Sequence, residues 1–470
     1  MTHTAIKAVA AIGIIGAVAV GGPYLIGQQI ETDFRAAIAA APDHYPYPIT
    51  LVSYQRGLFS SVAETRQVID IGPDSDDITI DDEGNPVIPP NRLIPVSFHH
   101  EIGHGPRLDG LRLTRFVNTL KFEGDALAAV RRIFGDSEPA TLTVDVGFGG
   151  DISGSLVSPA VDTPLPAGED SEGGRLQWSG LTSDFSVRGK HVVGALDAPG
   201  LNFGDGKVVM GPVTAKADMT IVTDGVWIGN FNNTFASMSV AEPNFAFSMK
   251  DIRIDSDTTD TAGQLKSGAT FAIKEMLFND VRVDDTRMRL VLDRLDTQAM
   301  SAFSRALNRF TAEQGGKTAG VEELPQMLAV MKPSLAAAAA GQPLFAIEEL
   351  SFTAPQGKVR MEGRVQYVGD ADIEDFAVAT DVVASAKVEA PMPLIELLLQ
   401  LQTAKTVIPG PDGAPVRLSP EQIAAATQAS LDGMVAQGLL IVDGDRARSE
   451  IEFKGGALTV NGKALGAPAI

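Results

Sequence analysis

Cysteine is missing altogether from the 470 residues. Disulfides, thiolate nucleophiles and cysteine-ligated zinc or iron–sulfur sites are therefore excluded, and the absence suits an oxidising compartment. Basic charge is short as well: 38 Lys and Arg stand against 59 Asp and Glu, a formal net charge of −21. Such a surface repels a phosphate backbone, so no nucleic-acid partner is expected, and an anionic headgroup layer offers it no attraction. The common catalytic signatures are missing too. There is no G-x-S-x-G, no Walker A and no G-x-G-x-x-G, and Gly147-Phe148-Gly149-Gly150 has the spacing of a bulge or turn.

What is present begins with one uncharged stretch, Ala8 to Ile26, preceded by Lys7 and followed by Glu31 and Asp33. Nineteen residues at about 1.5 Å each make roughly 28 Å of helix, enough to cross a hydrocarbon core, where every backbone polar group must be paired within the segment. The positive-inside rule places the amino end in the cytoplasm and the body outside, with Tyr24 suited to the headgroup layer. A cleaved secretory signal is the alternative, with Val9 to Gly16 as its core and Ala17-Val18-Ala19 as the cleavage site. Either way the body is exported. A single-pass anchor, residues 1–27, is the preferred division, with 28–470 as the body, itself split into a β-rich part, 28–295, and an α+β part, 296–470. Gln28 to Ala41 continues as helix, because Ile30, Phe34 and Ile38 make one apolar stripe.

Pro46 and Pro48 keep Tyr45 to Pro48 extended, and Leu51 to Ser61 reads as a strand turning at Gly57. Asp74, Asp76, Asp77, Asp81, Asp82 and Glu83 lack the order of a calcium loop and read as a solvated surface loop. A helix is expected over Arg115 to Phe134, a strand over Thr141 to Val146, and a loop over Pro164 to Gly174. From Leu176 to Ile254 turn signals recur at Ser179-Gly180, Gly204-Asp205-Gly206, Asp224-Gly225 and Asn232-Asn233, which predicts an antiparallel meander. Phe-Ala starts at Phe245, Phe271 and Phe345 echo one another without a constant period. Helices then enter. Asp296 caps one with Met300, Phe303, Leu307 and Phe310 on a face; Val321 to Ala340 is another, broken near Pro333. Strands return at Phe345 to Gly369 and Phe376 to Glu389. Leu394 to Leu401 is too short to span a membrane and reads as a buried helix. Ser419-Pro420-Glu421-Gln422 is a capping box opening a helix with Ile423, Leu431, Met434 and Val435 inward, closed by Gly438. Leu439 to Val460 forms a hairpin turning at Asp443-Gly444, and Asn461-Gly462 makes the next turn. The expected fold is α+β, mainly antiparallel β, a long meandering sheet with helices concentrated in the C-terminal half.

His100-Glu101-Ile102-Gly103-His104 matches the H-E-x-x-H of zinc peptidases, and a zinc-dependent hydrolase is the alternative function it implies. Its setting is that of a strand. Val96, Phe98, His100, Ile102 and His104 alternate with Ser97, His99, Glu101 and Gly103, and Gly103, Gly105 and Pro106 oppose a helix. Four residues along a strand separate the imidazoles by roughly 13 Å, too far to ligate one ion. Surface or hydrogen-bonded histidines are the preferred reading, with no catalytic, cofactor-binding or metal site assigned beyond the weak candidates His100, Glu101 and His104. Asn232-Asn233-Thr234 matches the glycosylation sequon by letter only.

Several pieces in order resemble one family: Ile26-Gly27-Gln28-Gln29-Ile30-Glu31, then Tyr54-Gln55-Arg56-Gly57-Leu58-Phe59-Ser60-Ser61, then Ile102-Gly103-His104-Gly105-Pro106, and last Gly438-Leu439-Leu440 through Gly455 to Lys463. Together they resemble the YdgA-like bacterial inner-membrane-anchored envelope proteins, a domain of unknown function. The resemblance implies an uncleaved anchor, a Gram-negative periplasm and no catalytic residues to carry over. It also makes His104-Gly105-Pro106 the recurring piece, a chain bend with His104 as a hydrogen-bonding group. The expected function is a non-enzymatic, membrane-anchored periplasmic protein that binds a lipid or an envelope-protein partner, with no cofactor. A subunit that works only within a complex is a further reading.

Overall fold

The computed structural model describes residues 22–40, 49–70, 79–80, 86–87, 93–107, 112–166, 173–242, 245–313, 324–369, 377–405, 407–409 and 415–465. Residues 8–21 of the expected anchor, the Tyr45 to Pro48 segment, the acids from Asp74 to Asp77 and from Asp81 to Glu83, and residues 321–323 of the expected Val321 helix lie outside them. Among the described residues no helix is long and apolar enough to cross a membrane. The described chain is mainly antiparallel β with seven helices, five of them after residue 296. It divides into two compact units, one made of Met1–Ala236, Asp257–Gly263 and Asp296–Leu335, the other of Ser237–Ser256, Gln264–Leu295 and Ala336–Ile470.

In the first unit helix α1 (Gly22–Ala39) lies on a sheet formed by β1 (Ile49–Arg56), β2 (Ser60–Asp70), β3 (Leu93–Arg107), β4 (Arg112–Lys121), β5 (Thr141–Gly147), β6 (Ile152–Ser158), β7 (Leu181–Arg188), β8 (His191–Ala198), β9 (Val213–Thr223) and, up to Ala236, β10 (Val226–Glu242). Each of these strands pairs antiparallel with the next. The reason is period two. Alternate residues Ser61, Ala63, Thr65 and Gln67 of β2 are buried while Val62, Glu64 and Arg66 are exposed, so a one-residue slip would exchange core for solvent. One core cluster joins Ile30 of α1 to Ala63, Ile102 and Leu113, with Ile26, Phe34, Leu51, Tyr54 and Phe116 packed around it. Ile26, at the end of the expected anchor, packs against this cluster. A second cluster joins Ile152, Val187 and Ile221, with Phe185 and Trp227 beside it. Gly154 leaves room for Phe185 there, since a Cβ on it would stand 2.4 Å from that ring.

Residues 115–121, read from sequence as helix, belong to β4, and helix α2 (Gly124–Phe134) begins only after Glu123. The helical period across Arg115 to Leu120 loses to pairing on both sides, with His100 facing Asn118 and Asn118 facing Leu142. Asn232-Asn233 is no turn. It sits within β10 opposite Lys216 and Ala215, where ladder hydrogen bonds outweigh the local turn preference. The expected Pro164 to Gly174 loop is flanked by paired strands, Val161–Leu165 and Gly174–Trp178, with 167–172 outside the described residues. Helix α3 (Thr297–Glu313) starts as expected, the Ala299 N–H donating to Asp296 Oδ1 at 2.8 Å. Helix α4 (Leu324–Ala339) carries Pro333 inside it.

The second unit's sheet runs through β11 (Val281–Asp296), β12 (Leu344–Ala354), β13 (Gly357–Tyr367), β14 (Val382–Pro391), β15 (Ile441–Asp443), β16 (Arg446–Lys454), β17 (Ala457–Val460) and β18 (Lys463–Leu465), the short β15 pairing only with β16. The one-turn α5 (Val378–Asp381) takes the start of the expected Phe376 to Glu389 strand. Helices α6 (Met392–Ala404) and α7 (Pro420–Gln437) close one end of the sheet around Leu431, Leu440 and Ala447. The capping box is formed, the Gln422 N–H donating to Ser419 Oγ and the Ser419 N–H to Gln422 Oε1, and Gly438 closes α7 in the left-handed region at φ 75°. Two details differ from the sequence reading. Helix α6 buries Met392, Ile395 and Leu399 only in part and leaves Leu397, Leu398 and Leu401 exposed. Val435 points outward, because only one face of α7 meets the sheet.

Candidate functional site

The H-E-x-x-H residues lie on β3, a strand, and the zincin arrangement is absent. His100 and His104 share the face under α1 with Ile102, while Glu101 points to the opposite, exposed face. Both nitrogens of His100 are committed elsewhere, and His104 uses Nε2 while its Nδ1 is buried without a partner. His100 lies between Asn118 and Thr65, with Nδ1 2.6 Å from Asn118 Oδ1 and Nε2 2.8 Å from Thr65 Oγ1. Because the Asn118 amide nitrogen donates to the Leu142 carbonyl at 2.9 Å, its oxygen faces His100. Nδ1 therefore carries the proton and Nε2 accepts from Thr65, which leaves no lone pair for a metal. His104 Nε2 stands 2.8 Å from the Ser61 hydroxyl. No group of three or more potential metal ligands occurs among the described residues.

These histidines belong to a polar layer sealed beneath α1. Ser61, Thr65, His104 and Thr114 are all at most 5% exposed. The Thr114 hydroxyl donates to the Gly103 carbonyl at 2.6 Å, and Gln29 donates to Asp33 at 2.9 Å. Gly27 fits over His104 because it has no side chain: a Cβ there would stand 2.5 Å from Nδ1. Phe34 packs edge-on against His100 at 5.4 Å between ring centroids and against Tyr54 at 5.7 Å. Burial pushes the His100 and His104 imidazoles below the ordinary histidine value, against the upward pull of Asn118 and of the Leu58 backbone respectively. Burial likewise pushes Asp33 up. Shielded from solvent, Ser61 and His104 hydrogen-bond across the β2–β3 pair directly beneath Gly27 of α1. His104 is a hydrogen-bonding group at the end of β3, as the sequence reading has it.

A different surface is open to a ligand. In the second unit the register aligns Leu292, Phe345, Val365, Ala384, Phe453, Leu458 and Leu465 in one row across seven strands. The neighbouring row is Leu290, Ile347, Gly363, Ala386, Ile451 and Val460. Both rows occupy one face. The other face carries Glu362, Arg364, Lys387, Glu450 and Glu452, with Lys387 paired to Glu450 at 3.0 Å. Charge on that side marks it as the solvated face, and the apolar side would ordinarily be core. Among the described residues nothing closes it over: Leu292 is 42% exposed, Phe345 40% and Val365 45%. Gly363, Ala384 and Ala386 form a low floor between Phe345, Ile451 and Phe453, and the resulting open groove has a volume of about 240 Å³. Sequence reasoning missed it, because alternation in each strand marks two faces without saying which strands stand side by side.

No curated protein matches the chain. Residues 3–467 match a family described as "Bacterial protein of unknown function (DUF945)", which covers nearly the whole sequence. The apolar face and the sealed histidine layer are therefore features of a chain that belongs to that bacterial family.

Proposed function

We propose that the chain is a membrane-tethered protein of the bacterial envelope, close to the YdgA-like proteins, whose exported β body binds the acyl portion of a lipid and catalyses nothing. The tether is the uncharged stretch from Ala8, with Lys7 on the cytoplasmic side and the acidic body in the periplasm. The observation that carries the binding role is the uncovered apolar face around Gly363, Ala384 and Ala386. Large apolar side chains left 40–45% exposed side by side, as Phe345 and Val365 are, mark an interaction surface and not a closed core. A floor of small residues between bulky apolar walls offers a hydrocarbon chain an apolar seat. Each methylene buried there contributes about 0.8 kcal/mol, so about ten contribute roughly 8 kcal/mol before the cost of association is subtracted.

The test is organic extraction and mass spectrometry of the full chain purified in mild detergent, beside the Ala386→Trp variant, whose indole fills the groove. The tether carries the same lipid background in both. Excess acyl lipid on the unaltered chain supports the reading; equal amounts on the two proteins remove it.

A further inference from the structure

The turn between β1 and β2 reads Arg56-Gly57-Leu58-Phe59-Ser60, and it carries its two largest apolar side chains outward. Leu58 is 54% exposed and Phe59 65%, the highest value among the described large hydrophobic residues. Neither is needed for the hairpin. Arg56 pairs with Ser61, and Gly57 N–H donates to the Ser60 carbonyl at 2.8 Å, so a soluble hairpin could carry polar residues here. The tip contains no acid, and its nearest charge is the cation of Arg56. On a chain of net charge −21, an apolar tip flanked by a cation is out of keeping with the rest of the surface.

Its position in the first unit explains the exception. The His104 N–H donates to the Phe59 carbonyl at 2.8 Å, which places the tip level with His104. Gly27 of α1 rests on the His104 ring, Arg56 Nη1 donates to Glu31 at 2.9 Å, and Phe34 reaches His100 further down the same strand. Helix α1 thus descends from the tip, and its start at Gly22 lies roughly 7–8 Å beyond Gly27 along the helix axis. The uncharged stretch of residues 8–21 joins the helix at that end. Phe148, 38% exposed, sits in the β5–β6 turn at the same end of the sheet, because Gly103, Arg115 and Asp145 align in one row just below the tips. A headgroup layer is about 5–8 Å deep on each side of the hydrocarbon core. With the uncharged stretch crossing the bilayer up to Ile26, a tip level with Gly27 falls at headgroup depth.

We infer that the β1–β2 tip, through Leu58 and Phe59, inserts into the headgroup layer of the membrane that tethers the chain and docks the first unit on it. The occupant is the bilayer surface and not a soluble partner: the tip turns two large apolar side chains and no acid outward, at the end of the unit where the tether begins. This rests on the tether reading of residues 8–26, and one experiment separates the two. Because the sequence has no cysteine, Phe59→Cys, Val18→Cys and Val52→Cys each give a single labelling site. Val52 is the control, 56% exposed on β1 and four residues from the Arg56 end. The full-length chain, labelled with an environment-sensitive dye and reconstituted in phosphatidylethanolamine–phosphatidylglycerol nanodiscs, is compared with and without quencher-bearing lipids, the quencher lying deep in the acyl chain for position 18 and near the headgroup for positions 52 and 59. Several-fold quenching at positions 18 and 59, with none at 52, supports the inference. Quenching at 18 without quenching at 59 overturns it and leaves the tether standing. No quenching at 18 removes the tether reading and the inference with it. Leu58→Cys repeats the measurement should the Phe59 variant fold poorly.

Discussion

His104 is 5% exposed, holds the Ser61 hydroxyl at 2.8 Å and supports Gly27 of α1. Its pH behaviour follows from burial. Both His100 and His104 titrate below the ordinary 6.5, so as pH falls past that value the unfolded chain takes up protons first and folded stability is lost. Asp33, raised above 3.8, acts in the opposite sense: the folded chain keeps its proton longer, which offsets part of the loss at lower pH. The melting temperature should therefore drop between about pH 7.5 and about pH 5.5, and His104→Gln, which keeps a hydrogen-bonding side chain that does not titrate, should flatten the drop. An unchanged slope in the variant would assign the pH dependence to other groups. The H-E-x-x-H letters were legible in the sequence, and so was their strand setting. That Asn118 and Thr65 consume both nitrogens of His100 was not, because those residues are 18 and 35 positions away.

At the scale of elements, helix α7 depends on its ends more than on its flanks. Only Thr427 and Leu431 are buried along its 18 residues, so the capping box carries a large share of what keeps the first turn formed. Ser419→Ala should cost about 1 kcal/mol, read as a shift of the urea midpoint with the slope unchanged. A shift below about 0.3 kcal/mol would mean that packing of Leu431 against Leu440 and Ala447 holds the helix without its cap. Caps and turns of this kind are local chemistry, and Asp296, Ser419, Gly438 and Asp443-Gly444 were all read correctly. Strand β4 was not, because Arg112 to Lys121 has no strong local preference and is strand only through its two neighbours. The exposed side of α6 escaped for a related reason: an apolar run does not say how much of itself will find a partner.

On the whole molecule the dominant quantity is the charge of −21. Its ion pairs are mostly at the surface, as with Lys121 and Glu138 or Lys250 and Glu275, and each such pair contributes about 0–1 kcal/mol. Self-repulsion of the excess acid outweighs them and is screened over about 10 Å at 0.1 M salt. Raising sodium chloride from about 10 mM to about 150 mM should therefore increase the melting temperature. A decrease would mean that the attractive pairs dominate.

Sequence alone determined the chemistry this chain can and cannot do: no thiol reactions, no attraction for nucleic acid, an uncharged N-terminal stretch, and a body of alternating strands with well-marked caps and turns. Those properties reside in residue type and short-range order, where composition and period are sufficient. Only the tertiary structure decided which strands lie side by side. It thereby turned alternation into an apolar face around Gly363 and Ala386, put Gly27 over His104, and set Phe59 level with them. Pairing partners are distant in the chain, and register is chosen by packing across the sheet, which no local stretch of sequence contains.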